Sequence, residues 1–428
     1  MKIEELYKLF RKYPEIVTDS RKAQKNSIFF ALSGENFDGN RFAEGALDTG
    51  CDYAVISNAD FAKDNRYILV QDTLKTLQEL ANFHRRKFTF PVIAITGTNG
   101  KTTSKELIRE VLGYKNNVQA TIGNFNNHIG VPLTLLSMPL DLDYAIVEMG
   151  ANHIGEINFL CNIAEPEYGL ITNVGMAHLE GFGSFEGVVK TKTELYRFLF
   201  KNGGLPFVNL QNEKILAYVE NHKYISYGTE KAWCTGKIIS SNPSLSYQFE
   251  YKNHAYEVNS SMVGAYNFEN MLAATCIGLY FNVSPEDICA AIEAYNPENN
   301  RSQIKETNIN TLLLDAYNAN PTSMKAAIDN FCRLSVDKDK VMILGDMLEL
   351  GKYSEEEHKS ILQYIESKNY RGDVILVGKE FNKIAVSKKA FISIDEARSY
   401  LKKADIHSKI ILIKGSRGIA LEKLVDLL

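Results

Sequence analysis

No pair of cysteines in this chain has the spacing of a metal clip or a redox motif. The six present, Cys51, Cys161, Cys234, Cys276, Cys289 and Cys332, are scattered with no Cys-x-x-Cys among them. That argues against a zinc site or a disulfide frame and for thiols in a reducing compartment. No run approaches the ~18 apolar residues that a membrane span needs. The opening stretch, MKIEELYKLFRKYPEIV, is charged and amphipathic and lacks the apolar centre of a signal peptide. No basic domain or stripe accompanies the net charge of −4, so no nucleic-acid partner is indicated. There is no internal repeat and no low-complexity linker. The expectation is a cytoplasmic enzyme acting as a monomer.

What is present is an ordinary globular composition, 45% hydrophobic and 23% charged over 428 residues. At roughly 150 residues per domain this length predicts about three domains. They are placed at residues 1–88, 89–298 and 299–428. Strand-like and helix-like runs alternate in each, which indicates an α/β protein.

The most informative stretch is VIAITGTNGKTT, Val92 to Thr103. Val92–Ile95 is apolar and β-branched, as in a buried parallel strand. Gly97 and Gly100 break it, Lys101, Thr102 and Thr103 follow, and a helical pattern runs on from Ser104. Strand, glycine loop, Lys-Thr and helix form a phosphate cradle, with backbone N–H groups and the helix N-terminus facing an anion. Lys101 would neutralise phosphate charge, and Thr102 would reach a magnesium ion. The general phosphate-loop pattern wants a further glycine where Ile95 stands, so this loop is shorter.

Other candidates sit at strand ends, where parallel sheets place ligand groups. Tyr144–Val147 leads into Glu148, which could hold magnesium opposite Thr102. Leu170–Thr172 leads to Asn173 and His178. Asn124, Asn126 and Asn127 crowd between Gly123 and Gly130, as either a structural turn or amide donors for a polar ligand. Gly187–Phe200 reads as one helix, with Lys190 and Lys192 pointing different ways. Trp233–Val263 suggests a small antiparallel sheet. Gly264–Tyr280 is helical, with Asn267 and Asn270 on one side. Leu312–Leu314 ends in Asp315, followed by Tyr317, Asn318 and Asn320, with a helix from Thr322 or Ser323. LGDMLELG and KGSRG follow two later strands. Asp19, Ser20 and Arg21 form a polar triplet before the first strand.

Taken in order, TGTNGKTT, VEMGA, TNVGMAHLEGFGS, the lysine-bearing helix after it, DAYNANP, LGDMLELG and KGSRG resemble the Mur ligases of bacterial cell-wall synthesis over nearly the whole chain. Within that family they are most like the members that join D-alanyl-D-alanine to UDP-N-acetylmuramoyl tripeptide. The sister ligase that adds a diamino acid carries a DNPR-type motif where this chain has DAYNANP. A folylpolyglutamate synthase fits the first domain poorly, and a nucleotide-binding regulator would not need Glu148, His178 and Lys192 together.

The resemblance implies a small N-terminal UDP-substrate domain, a central parallel-sheet ATPase domain and a C-terminal Rossmann-like domain. It implies ATP and Mg2+ as cofactors. Gly97, Thr98, Asn99, Gly100, Lys101, Thr102 and Thr103 would hold the triphosphate. Thr102, Glu148, His178 and Lys192 would serve the metals, with Lys192 carbamylated and Lys190 the competing assignment. Asn267 and Asn270 match the segment near the adenine, although Tyr266 replaces a common histidine. Arg301 matches an arginine near the phosphates, although Asn300 replaces the usual glycine before it. Asp315, Tyr317, Asn318 and Asn320 would come onto the nucleotide and the incoming dipeptide. Asp19, Ser20 and Arg21, with the segment 31–41, would hold the UDP end, and Asn124, Asn126 and Asn127 would lie along the substrate path.

Overall fold

The computed structural model describes residues 1–35, 37–176, 179–297, 300–385 and 389–428. They build three sheets with helices packed on them. The first is four-stranded and parallel, in the order β1 (Glu15–Val17), β2 (Ser27–Phe30), β3 (Tyr53–Ile56) and β4 (Tyr67–Leu69). The helix Thr73–Arg85, capped by the Asp72 carboxylate, carries the chain onward.

The central sheet has nine strands. Its parallel half comprises β5 (Val92–Thr96), β6 (Val118–Ala120), β7 (Tyr144–Glu148), β8 (Tyr168–Ile171), β9 (Leu205–Asn209) and β10 (Ile225–Gly228). Then follow β11 (Cys234–Ser241), β12 (Ser244–Tyr251) and β13 (His254–Val263). The order is β13-β12-β11-β10-β9-β8-β5-β7-β6. The expected antiparallel strands are therefore not a separate sheet. β11 pairs parallel with β10 at Tyr227–Cys234, so the meander extends the central sheet.

β5 is an interior strand, fully buried along its length, with β7 on one side and β8 on the other. The chain leaves β5 for β6 on one side and later returns to β8 on the other. That makes the carboxyl end of β5 a switch point, where open α/β sheets bind ligands. Ile95 pairs with Glu148 and Thr96 with Ile171, so three strand ends meet there in register.

The third sheet runs β14-β15-β19-β16-β17-β18, parallel except for β14. Its strands are β14 (Gln303–Glu306), β15 (Thr311–Asp315), β16 (Asp339–Gly345), β17 (Asp373–Val377), β18 (Lys389–Phe391) and β19 (Lys409–Lys414). One apolar core joins the first sheet's helices to one face of the central sheet, from Leu6, Phe10 and Leu80 through to Val131, Leu135 and Leu160. The C-terminal sheet has its own two cores. No helix among the described residues is long and apolar enough to cross a membrane.

Five helices position the site: α1 (Lys101–Gly113), α2 (Phe185–Lys192), α3 (Glu194–Lys201), α4 (Phe268–Tyr280) and α5 (Pro321–Arg333). α1 begins at Lys101, three residues before the sequence pattern suggested, because the Lys-Thr-Thr turn is already helical. The single helix expected over 187–200 is two, α2 and α3. Thr193 separates them, its hydroxyl turned back onto the Val189 and Lys190 carbonyls. α5 starts at Pro321, with Asn320 as its cap in a reciprocal box with Ser323.

Candidate active site

The phosphate loop is shaped by two glycines at positions where any L side chain would be strained. Gly97 has φ +145°, and a Cβ there would lie 2.0 Å from the Thr172 hydroxyl. Gly100 has φ +79°, and a Cβ would lie 2.5 Å from the Asn270 amide oxygen. Asn173, just past β8, braces the loop from outside. Its side-chain oxygen accepts from the Asn99 N–H at 3.0 Å, and its amide donates to the Asn99 carbonyl at 3.0 Å. The Thr172 hydroxyl donates to the same carbonyl. No side chain caps α1 at Gly100, so its first N–H groups remain for an anion.

Lys101 folds back over this loop and donates to the Gly97 and Thr98 carbonyls at 2.8 and 3.1 Å. Burial lowers its pKa; Glu148 opposes that shift, and Arg301 adds to it. Thr102 donates to one Glu148 oxygen at 2.9 Å, and the Asn126 amide donates to the other at 2.8 Å. Glu148 is almost wholly buried. A strand-end carboxylate, a hydroxyl and an amide thus converge at the tip of the loop.

Lys192, at the end of α2, is 2% exposed, whereas Lys190 is exposed. Burial, aided by the nearby Lys101 charge, brings the Lys192 pKa down to about 7, against the pull of Glu156 and Glu194. Its ammonium lies 5.5 Å from the centre of the Phe182 ring. It does not line the main cavity. His178 lies outside the described residues.

That cavity, about 1020 Å³, opens between the phosphate loop and the C-terminal domain. Thr98 to Thr103, Glu148, Asn124, Asn126, Asn127, Asn267 and Asn270 line it from the central domain. Asp315, Tyr317, Asn318 and Arg301 line it from the other side. Asn127 also caps the next helix through the Gly130 N–H at 2.8 Å, so that turn is both structural and part of the wall. Asn267 and Asn270 are linked to each other at 3.1 Å, and Asn270 accepts from Ser104 at 3.0 Å, so the pair supports the loop from behind.

Arg301 stacks on Tyr317, its guanidinium carbon 3.6 Å from the ring centre, and Arg417 lies 5.4 Å from the same ring. Asn300, with φ +56°, adopts the left-handed conformation that glycine favours, so the loop keeps its path without glycine. Tyr266, where a histidine was expected, bonds to Ser302 at 3.2 Å, and Ser302 also accepts from Asn267 at 3.0 Å. Sequence reasoning missed Ser302; nothing in its local pattern marks it. Asp315 pairs with buried Lys414 at 2.7 Å.

Two further groups lie outside this cavity. Asn320 does not line the cavity; it caps α5 and donates to the Asn99 side chain at 2.7 Å across the domain boundary. Asp19, Ser20 and Arg21 form a surface turn outside the cavity, in which the Asp19 carboxylate accepts from the Arg21 backbone and guanidinium. These bonds bring the exposed Asp19 carboxyl down to about 2.

Three family domains match the chain: the Mur ligase family catalytic domain over residues 12–85, the Mur ligase middle domain over 95–278 and the Mur ligase glutamate ligase domain over 300–417. The UDP-N-acetylmuramoyl-tripeptide–D-alanyl-D-alanine ligase of Bacillus subtilis is 35% identical over 96% of this chain and 92% of its own length. Crystal structure I of MurF from Acinetobacter baumannii superposes with a TM-score of 0.86 at 32% identity, covering 96% of this chain and 93% of that one. MurF ligase from Thermotoga maritima, solved in complex with ADP, superposes with a TM-score of 0.85 at 26% identity, covering 96% of each chain. With likeness running through all three sheets and both ends of the cavity, the chain belongs to the Mur ligase family.

Proposed function

We propose that this enzyme joins D-alanyl-D-alanine to UDP-N-acetylmuramoyl tripeptide at the expense of ATP, in the cytoplasm. The observation that carries the reading is the open phosphate loop facing Glu148 and Asn126 on one wall, with Arg301, Asp315, Tyr317 and Asn318 on the other. Its whole-length relatives bear that ligase name. The working units are residues 1–88, 89–298 and 299–428. The first serves the UDP end through Asp19, Ser20, Arg21 and the segment 31–41, and Asn124, Asn126 and Asn127 line the path inward.

The reaction begins with a carboxylate oxygen of the tripeptide attacking the γ-phosphorus of ATP, and ADP leaves. Two anions must meet. Lys101 and the N–H groups of α1 offset that repulsion and hold the transferred group in line. Asn267 and Asn270 support the loop beside the nucleotide base, and Arg301 and Asn318 approach the phosphates. The dipeptide amine then attacks the acyl phosphate carbonyl, the tetrahedral adduct collapses and phosphate departs. The C-terminal wall keeps water from the acyl phosphate.

Magnesium fits the donor set: Thr102, in the first turn of α1, and Glu148, at the buried end of β7, present hard oxygens 2.9 Å apart. His178 and a carbamylated Lys192 complete the metal-binding set in this reading. Bound there, the ion would neutralise phosphate charge. A neutral Lys192 amine is what addition of carbon dioxide requires, and a pKa near 7 supplies it.

The test is phosphate release from ATP and UDP-muramoyl tripeptide. Release that depends on D-alanyl-D-alanine supports the proposal. Release with a diamino acid on the UDP-muramoyl dipeptide points to the sister reaction, and none with either refutes both.

A further inference from the structure

The reaction proposed above brings three anionic groups together: the triphosphate, the reacting carboxylate of the tripeptide, and the free carboxylate at the far end of the dipeptide. The first two meet at the phosphate loop. The third lies elsewhere, because an extended dipeptide places its carboxylate about 7 Å from its amine. It needs a cation on the C-terminal side, and a guanidinium matches a carboxylate best.

Lys101, Arg301 and Lys414 are the described lysines and arginines that line the cavity. Lys101 belongs to the phosphate loop. Besides burial, the charge of Arg301 lowers the Lys101 pKa, so that guanidinium is within electrostatic reach of the same loop. Lys414 is buried and already donates to Asp315 at 2.7 Å and to the Asn318 carbonyl at 3.3 Å. None of the three is left for the dipeptide.

The KGSRG turn that ends β19 supplies a fourth cation. Lys414 is neutralised by Asp315, and Gly415 is buried against Gly345 at the end of β16. The Ser416 hydroxyl accepts from the Leu348 N–H at 3.0 Å and donates to the Ala319 carbonyl at 3.4 Å. Its own N–H donates to the Asp346 carbonyl at 3.1 Å. These three residues fasten the turn to its neighbours. Arg417 faces out and is exposed. Among the described residues its side chain makes no ion pair and no hydrogen bond; it lies 5.4 Å from the ring centre of Tyr317, which lines the cavity. Arg301 lies 3.6 Å from the same ring centre. Two guanidiniums therefore share one ring at the cavity wall, and neither is paired with a carboxylate among the described residues. Like charges held this close repel each other, and an arriving carboxylate is attracted to both.

We infer that Arg417 receives the terminal carboxylate of the incoming dipeptide. This rests on the ligase reading given above. The Tyr317 ring seats the guanidinium, and the pairing selects an acceptor with a free carboxyl terminus while its amine is left to meet the acyl phosphate.

The test uses the full chain and its Arg417→Gln and Arg417→Lys variants, with D-alanyl-D-alanine and D-alanyl-D-alanine amide as alternative acceptors. In the parent the KM for the amide should exceed that for the acid about ten- to a hundredfold, the range for loss of a charged hydrogen bond. R417Q should raise the KM for the acid by a similar factor and leave that for the amide within twofold, so the preference disappears. R417K should recover part of it. The KM for ATP, and hydroxylamine trapping of the acyl phosphate without dipeptide, should not move. A parent that takes acid and amide equally, a KM for the acid within twofold of the parent in R417Q, or an equal rise for both acceptors would each overturn the assignment. A matching rise in the KM for ATP would overturn it as well, and would give Arg417 to the nucleotide. If the parent itself gives neither trapping nor dipeptide-dependent turnover, the ligase reading fails first and this one with it.

Discussion

The two junctions that flank the central domain are built differently. On the N-terminal side a single apolar core crosses the boundary, and the bonds around it are buried. Arg85 donates to the Ala164 and Glu165 carbonyls, each at 2.7 Å, and the His84 ring meets the Met138 carbonyl at 2.8 Å. On the C-terminal side the links are mostly single polar bonds: Asn320 to Asn99, Tyr266 to Ser302, and Asn242 with Ser335. Separating the first junction would expose apolar surface at about 25 cal/mol per Å². Separating the second trades amide bonds for water at roughly 1 kcal/mol each. The first two domains thus make the more firmly joined half of the site, and the third is expected to be the half that swings away to admit substrate and release product.

If the firmly joined half performs phosphoryl transfer where it stands, the largest loss should come from Lys101. Lys101→Ala should lower kcat by about a thousandfold with little change in melting temperature, since the two carbonyl bonds lost with the lysine are offset by relief of a buried charge. An unchanged rate would remove the loop from the mechanism.

Lys192 should come next. Lys192→Ala should lose about a hundredfold or more in rate and recover partly with a small carboxylate such as acetate in solution. Full activity without rescue would refute the carbamate. The same lysine carries a stability signature. Its folded pKa, about 7, lies below the ~10.4 of an unfolded lysine. Between those values the unfolded chain binds more protons, so this group makes stability rise with pH across that window. Below about 7 both states are protonated and the full cost of burying the charge remains. Lys192→Met should therefore melt higher than the parent near pH 6, with the gap closing toward pH 9. A melting temperature below the parent's at pH 6 would show that the burial cost has been misjudged.

The contrast between the halves also explains what could be read in advance. The phosphate loop was legible because strand, glycines, lysine and helix are contiguous, and Glu148 because it ends an apolar run. The α/β class followed from alternation. What escaped depends on partners distant in sequence. β11 joins β10 through a short parallel pairing at Tyr227 and Gly228, which no local pattern announces. The break at Thr193 comes from a hydroxyl competing with the helix. Asn320 reads as a ligand-facing amide beside a proline, yet its side chain is divided between a helix cap and a residue of the phosphate loop. Ser302 bonds to residues some 35 positions away, and LGDMLELG declares a motif but not the left-handed turn at Glu349.

Asn320 tests the other half directly. Asn320→Ser keeps a capping side chain for α5 but is too short to reach Asn99. The expectation is a fall of about fivefold in kcat/KM for ATP, the equivalent of one hydrogen bond, with little change in melting. Lower melting at an unchanged rate would make the contact a brace and not a latch.

The smallest effect is expected on the far side of the firmly joined half. Among the described residues Arg21 pairs with its near neighbour Asp19 at the surface, and exposed pairs of this kind contribute little to stability. Arg21→Ala should leave the melting curve unchanged. If the triplet serves the UDP end, KM for the UDP-muramoyl substrate should rise several-fold while KM for ATP stays constant, because the turn lies outside the nucleotide cavity. A parallel rise in both would mean that the N-terminal domain shifts with its substrate, and the apolar junction would then be less rigid than its continuous core implies. No change in either would leave the segment 31–41 to bind the UDP end alone.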